Sequence, residues 1–137
     1  MIKEFTSLGL MSGTSGDGVD ASVILSDGNN NYELILDRYY EYDLKLSGEI
    51  HKITDTINNV NDLLKNKKKI QDLERKITIF HAEIAKKIIL DTPQIDIVGL
   101  HGQTIFHNSN LKVSKQLGNG KLLSQLINKN LVFNFRS

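Results

Sequence analysis

The chain has 137 residues, balances 17 Lys+Arg against 16 Asp+Glu for a net charge of +1, and is 39% hydrophobic. That length suits one domain with a core of its own, and the apolar share is large enough to argue against disorder. So even a charge gives no field to steer nucleic acid or an anionic membrane, and the lack of cysteine removes disulfides, thiolate metal sites and a Cys nucleophile. The opening MIKEFTSLGLMSGTSG is broken by Glu4, Thr6 and Ser7, so it reads as neither signal peptide nor membrane span. A cytoplasmic protein with no nucleic-acid or membrane partner is the expectation.

Residues 5–13 start apolar and run into small residues, and 20–26 (DASVILS) alternate around a β-branched centre. Asp27-Gly28-Asn29-Asn30-Asn31 is a turn signal, and 32–43 (YELILDRYYEYD) are again strand-like. Three strands on tight turns predict an antiparallel meander. From Ser47, a candidate N-cap, the period changes: Ile50, Ile53, Ile57, Val60 and Leu64 fall at steps of three and four. A second helical face follows at Ile70, Leu73, Ile77, Phe80, Ile84 and Ile88, after a Lys-rich corner at 65–69 that lacks interleaved aromatics and reads as solvated. Pro93 marks a stop. Residues 95–100 (IDIVGL) read as a buried strand running into a His101-Gly102-Gln103-Thr104 turn, 120–128 as a short helix and 131–135 as a last strand. The expected architecture is α/β: a mixed five-stranded sheet, with a meander followed by two parallel strands reached through helices.

Chemistry concentrates in Met11-Ser12-Gly13-Thr14-Ser15-Gly16-Asp17-Gly18-Val19-Asp20. Glycines let backbone amides approach an anion closely, hydroxyls can donate to phosphate oxygens, and a carboxylate such as Asp17 or Asp20 can hold a hydrated Mg²⁺ beside them. On composition alone the segment equally suits a polar hairpin turn. It is not a Walker-type loop, since it lacks the Gly-Lys-Ser/Thr ending and a strand follows it. A phosphate-holding hairpin between the first two strands resembles the actin, hexokinase and Hsp70 type of ATPase, each half of which has a β-β-β-α-β-α-β core.

The resemblance narrows at four segments. Residues 9–20, GLMSGTSGDGVD, look like the signature of the anhydro-N-acetylmuramic acid kinases, which carry a larger residue where Gly16 stands. Residues 99–107, GLHGQTIFH, are similar to that family's His-Gly-Gln-Thr hallmark. Residues 116–120, QLGNG, resemble its Gln-Ile-Gly-Asp segment with Asn119 for Asp, and 134–136, NFR, resemble its Asp-Phe-Arg with Asn134 for Asp. The resemblance spans the chain, though 29–94 match only in pattern.

The resemblance implies an ATP-dependent sugar kinase of cell-wall recycling. Such an enzyme opens the anhydro ring of 1,6-anhydro-N-acetylmuramic acid with water and phosphorylates the freed 6-oxygen. Carried over by position, Gly13, Thr14, Ser15, Gly16, Asp17, Gly18, Val19 and Asp20 would line the phosphates of ATP, with Asp17 beside Mg²⁺. His101, Gln103, Thr104 and Arg136 would lie on the sugar side. The family is more than twice as long, and its general base is an Asp in a segment resembling Asp-Thr-Gly-Pro-Gly-Asn, which does not occur here. Residues 1–137 are therefore expected to be an amino-terminal lobe without a catalytic base. The second lobe would come from a complementary chain, or the exposed cleft side would pair in a homodimer. A non-catalytic half-domain that at most binds nucleotide weakly is the alternative.

Overall fold

A computed structural model describes residues 3–92 and 94–136; the stop read at Pro93 lies outside the described residues. The element order is β1 (Phe5–Ser12), β2 (Gly18–Ser26), β3 (Tyr32–Glu41), α1 (Leu44–Thr56), α2 (Val60–Lys65), α3 (Lys67–Asp91), β4 (Ile97–Asn108), β5 (Val113–Leu117), α4 (Gly120–Ile127) and β6 (Asn130–Val132). The sheet runs β3-β2-β1-β4-β5, with β6 also on β4. The meander is antiparallel as expected, and β1–β4 and β4–β6 are the parallel pairs. The sheet has six strands where the sequence suggested five. The additional one, β5, returns antiparallel along the upper part of β4, while β6 lies along the lower part opposite Ile97–Gly99.

Local chemistry sets the boundaries. The β2–β3 turn closes on Asp27, whose Oδ1 accepts the amides of Asn29 and Asn31. α1 starts earlier than expected because Asp43, not Ser47, is its N-cap and accepts Leu46 N at 2.8 Å. The helical face drawn through Ile57, Val60 and Leu64 is interrupted: α1 ends at Thr56, and Asn59 caps the separate turn α2 by accepting Asp62 N at 3.0 Å. Lys67, Lys68 and Lys69 open α3 and are exposed. The residues read as a His-Gly-Gln-Thr turn lie instead inside β4, which runs unbroken to Asn108. Gly102 there has φ +87, and a β-carbon on it would lie 2.8 Å from the Leu117 carbonyl oxygen, so it serves the β4–β5 contact rather than a reversal.

Strand periodicity divides the sheet into two faces. Leu8, Leu10, Val19, Ala21, Val23, Val98 and Leu100 point to one side and meet Ile50 of α1 and Ile77, Ala85 and Ile88 of α3 in a single core. The alternate positions Gly9 and Met11 face the other side. Between Leu10 and Met11 the β1–β4 register slips by one, so that Leu10 pairs with Leu100 but Met11 with Gly102. His101 is the extra residue of a β-bulge.

Gly18 is the tightest point of the meander. A β-carbon there would collide with the Tyr40 carbonyl oxygen and come within 2.6 Å of the Tyr39 hydroxyl. Gly18→Ala is therefore expected to lower stability by about 1–3 kcal/mol, as overpacking typically does. Urea unfolding checks it, and an unchanged midpoint would sink it.

Candidate functional site

In a sheet with parallel strands, ligands bind where strand carboxyl ends open onto loops. Here those ends come together. The segment after β1, residues 13–17, starts beside Gln103, which pairs with Ser12. The segment after β6 passes the bulge, where Arg136 Nε donates to His101 Nε2 at 3.0 Å.

The loop holds its carbonyls inward. Gly13 O accepts Gln103 Nε2 at 2.5 Å, Ser15 O is bound by His51 Nε2 at 2.7 Å, Gly16 O accepts the Ser47 hydroxyl at 3.1 Å, and Asp17 O accepts Tyr42 N at 2.9 Å. Among the described residues, no protein acceptor takes the amides of Thr14, Ser15 or Asp17. Gly13 has nothing within 4 Å of a notional β-carbon, so its backbone is open to close approach, and Gly16 sits at φ +71. Backbone amides without a protein acceptor, beside carbonyls already bonded, are groups that an anion can use. The Asp17 side chain is 60% exposed. Loss of surrounding water, and then the charges of Asp17, Glu41 and Asp20, push the Tyr39 hydroxyl above its usual range. Among the described residues no group of three or more His, Asp or Glu side chains is placed to hold a metal ion, so Asp17 offers a single exposed carboxylate, the kind of group that takes a hydrated cation.

Not all of Gly13–Asp20 is loop. Gly18, Val19 and Asp20 already belong to β2, and Val19 is wholly buried in the core, so only its backbone faces the site.

Under the loop lies a buried polar chain drawn from β1, α3, β4 and the link between β3 and α1. His81 of α3 donates from Nδ1 to the Ile77 carbonyl at 2.7 Å, which leaves Nε2 to accept the Ser12 hydroxyl at 2.8 Å. Tyr42 OH lies 3.1 Å from Ser12 Oγ and 3.0 Å from Gln103 Oε1, so its single hydrogen serves both. Gln103 closes the chain by donating to the carbonyls of Gly13 and Thr104. Burial holds His81 down at about 4, hence neutral, and pushes Tyr42 up to about 12. Among the described residues no buried side-chain polar atom lacks a partner.

Of the sugar-side candidates, His101 and Arg136 come together on a cleft of about 160 Å³ shared with Lys115, Gln116 and Asn134. Gln103 is 0% exposed and reaches the Gly13 carbonyl beneath the 13–17 loop, and Thr104 is mostly buried with its hydroxyl accepting Gln116 Nε2. Asn119, where the resembled motif has Asp, caps α4 by accepting Leu122 N at 3.0 Å, a task the two side chains perform equally well. His51 and His81 were not singled out in the sequence, and Ser12 stood there only within the glycine-rich segment, Tyr42 only as part of a strand and Ser47 only as a candidate N-cap. The one available signal was His81 at the step of four from Ile77, where an apolar residue was due.

Comparison with known proteins gives the family. A family model described as anhydro-N-acetylmuramic acid kinase matches residues 5–137. The chain belongs to the anhydro-N-acetylmuramic acid kinase family. A relative of that name from Pelagibacter ubique is 58% identical over 99% of this chain and 36% of its own length. Others of the same name from Agrobacterium fabrum and Rhodospirillum rubrum are 32% and 33% identical over 96% and 95% of the chain. The chain spans about a third of the length of these curated relatives, 34–36%. The anhydro-N-acetylmuramic acid kinase family has the actin- and hexokinase-like sugar-kinase fold, and the mixed sheet described above is consistent with it. No helix among the described residues is long and apolar enough to cross a membrane.

Proposed function

We propose that residues 1–137 form the amino-terminal, phosphate-binding lobe of a cytoplasmic kinase that converts 1,6-anhydro-N-acetylmuramic acid to N-acetylmuramic acid 6-phosphate with ATP and Mg²⁺. The observation that carries this reading is the loop at 13–17, with four carbonyls bonded within the protein and the amides of Thr14, Ser15 and Asp17 left without a protein acceptor among the described residues. Those amides and the hydroxyls of Thr14 and Ser15 hold phosphate oxygens, and Asp17 holds the metal. A cation held there would supply neutralisation of charge on the phosphates. Gly16 and Gly18 shape the turn, and Asp20 adds negative charge from β2.

His101 and Arg136 face the sugar from the neighbouring cleft. The Arg136 guanidinium supplies a fixed positive charge, and the bond to His101 orients it. Gln103 and Thr104 serve from behind, Gln103 by fixing Gly13 and Thr104 by anchoring Gln116. The base that activates water belongs to residues outside this chain's 137, so the chain alone binds nucleotide without measurable phosphoryl transfer.

The test is a Mg-ATP titration followed by ¹⁵N shifts. Perturbation centred on Thr14–Asp17 is expected. Asp17→Ala should weaken binding about tenfold or more, the scale of one lost interaction with a charged group. Shifts that avoid the loop, or an Asp17→Ala chain that binds as well as the parent, would remove the basis for this reading.

A further inference from the structure

We propose that His51 is a positioning residue for the phosphate loop, a latch reaching from α1 that sets the direction of the loop's amides. Its functional meaning rests on the phosphate reading above; its geometry does not. Three consecutive loop residues meet this one imidazole. Nε2 is 2.7 Å from the Ser15 carbonyl oxygen. A carbonyl only accepts, so Nε2 carries the hydrogen and donates. The same ring covers Gly16: a β-carbon there would lie 3.0 Å from His51 Cδ2 and 3.1 Å from Nε2, with Ile50 Cγ2 also at 3.0 Å. Nε2 is also 3.7 Å from Asp17 Oδ1.

His51 is not a core residue, since half of its side chain is exposed. Histidine also has no intrinsic advantage within a helix. What distinguishes the position is its reach onto the loop. Gly16, at φ +71, leaves the room that the ring occupies. In the resembled motif a larger residue stands at that place; here the room over the glycine is taken by His51 and Ile50 of α1. His51 on Ser15, Ser47 on Gly16 and Gln103 on Gly13 together tie successive carbonyls inward. The flexible turn then has its amides oriented before any anion arrives, which lowers the ordering cost of binding.

The test separates the donor from the ring. In His51→Gln the amide nitrogen lies as many bonds from Cβ as Nε2 does, so it can still donate to Ser15 O. In His51→Phe the bulk over Gly16 stays and the donor is lost. Backbone ¹⁵N order parameters at Thr14, Ser15 and Gly16 are expected to stay near ~0.85 in the wild-type chain and in His51→Gln, and to fall toward ~0.6 in His51→Phe. The Kd for Mg-ATP should rise about fivefold to tenfold in His51→Phe alone, the scale of one lost hydrogen bond. Thermal stability should be equal in all three, because the position is exposed. Order parameters and affinity in His51→Phe equal to wild type would overturn the proposal, as would a loss of both in His51→Gln. A wild-type loop that ignores Mg-ATP while His51→Phe still loosens it would refute the phosphate reading and leave the latch standing.

Discussion

Lowering the pH from about 6.5 to about 4 is expected to cost this protein about 3 kcal/mol through His81 alone. The unfolded chain binds a proton on this imidazole below its ordinary value of 6.5, whereas the folded protein resists until about 4. Folded-state affinity for the proton is lowered, so the unfolded state binds more protons throughout that window and gains on acidification. Stability is unaffected above about 6.5, falls through the window and levels off below about 4. The cause is complete burial: a charge on the ring would have no water, and its Nε2 would lose the Ser12 hydroxyl as a donor. Urea midpoints between pH 7 and pH 4.5 in the parent and in His81→Gln measure the effect. Carboxylates contribute equally to both proteins, so the difference in slope isolates His81. Parallel slopes would show that the ring protonates in place.

Replacing Gln103 should cost about as much, and its chemistry is more specific. Gln103→Leu keeps the volume but withdraws donors from the carbonyls of Gly13 and Thr104 and an acceptor from Tyr42. Each buried group left unsatisfied costs about 1–3 kcal/mol, and water reaches the exposed Gly13, so about 2–4 kcal/mol is expected in all. Gln103→Glu should be worse at neutral pH. It keeps the acceptor for Tyr42 but sets a second oxygen against two carbonyl oxygens, and it buries a charge. Acidification should then partly restore Gln103→Glu while leaving Gln103→Leu unimproved. A Gln103→Glu protein as stable as the parent at pH 7 would mean the side chain is not held as described.

The meander and the long helix were legible in the sequence because their patterns are local. Alternation in VILS and YELILD, and the three-four spacing from Ile70 to Ile88, do not depend on what lies across the core. The β4–β5 hairpin was not legible. Gly102 reads locally as a turn, yet its φ of +87 serves close approach to Leu117. The loop at 13–17 stood out by composition, since glycines, hydroxyls and acids fall within ten residues. Its supports did not. Ser12 meets His81 across 69 positions and Gly13 meets Gln103 across 90, and no single sequence records which distant residues will touch. His81 was further hidden by an isoleucine stripe in which its neighbour Phe80 fits equally well.

The bulge at His101 takes one residue out of the alternation that sets the faces of β4. With strict alternation after Leu100, Gly102 would take the inner side and Gln103 the outer. Because the bulge absorbs His101, that parity is reversed and Gln103 arrives beside Ser12 beneath the loop. Substitution at position 101 changes a side chain but preserves the count. Deletion of that one residue would close the bulge into plain alternation, leaving Met11 opposite Gly102 and Gln103 beside Ser12, and would remove the imidazole that Arg136 holds. What the additional residue supplies is therefore the His101 side chain itself, carried toward Arg136 without moving Gln103.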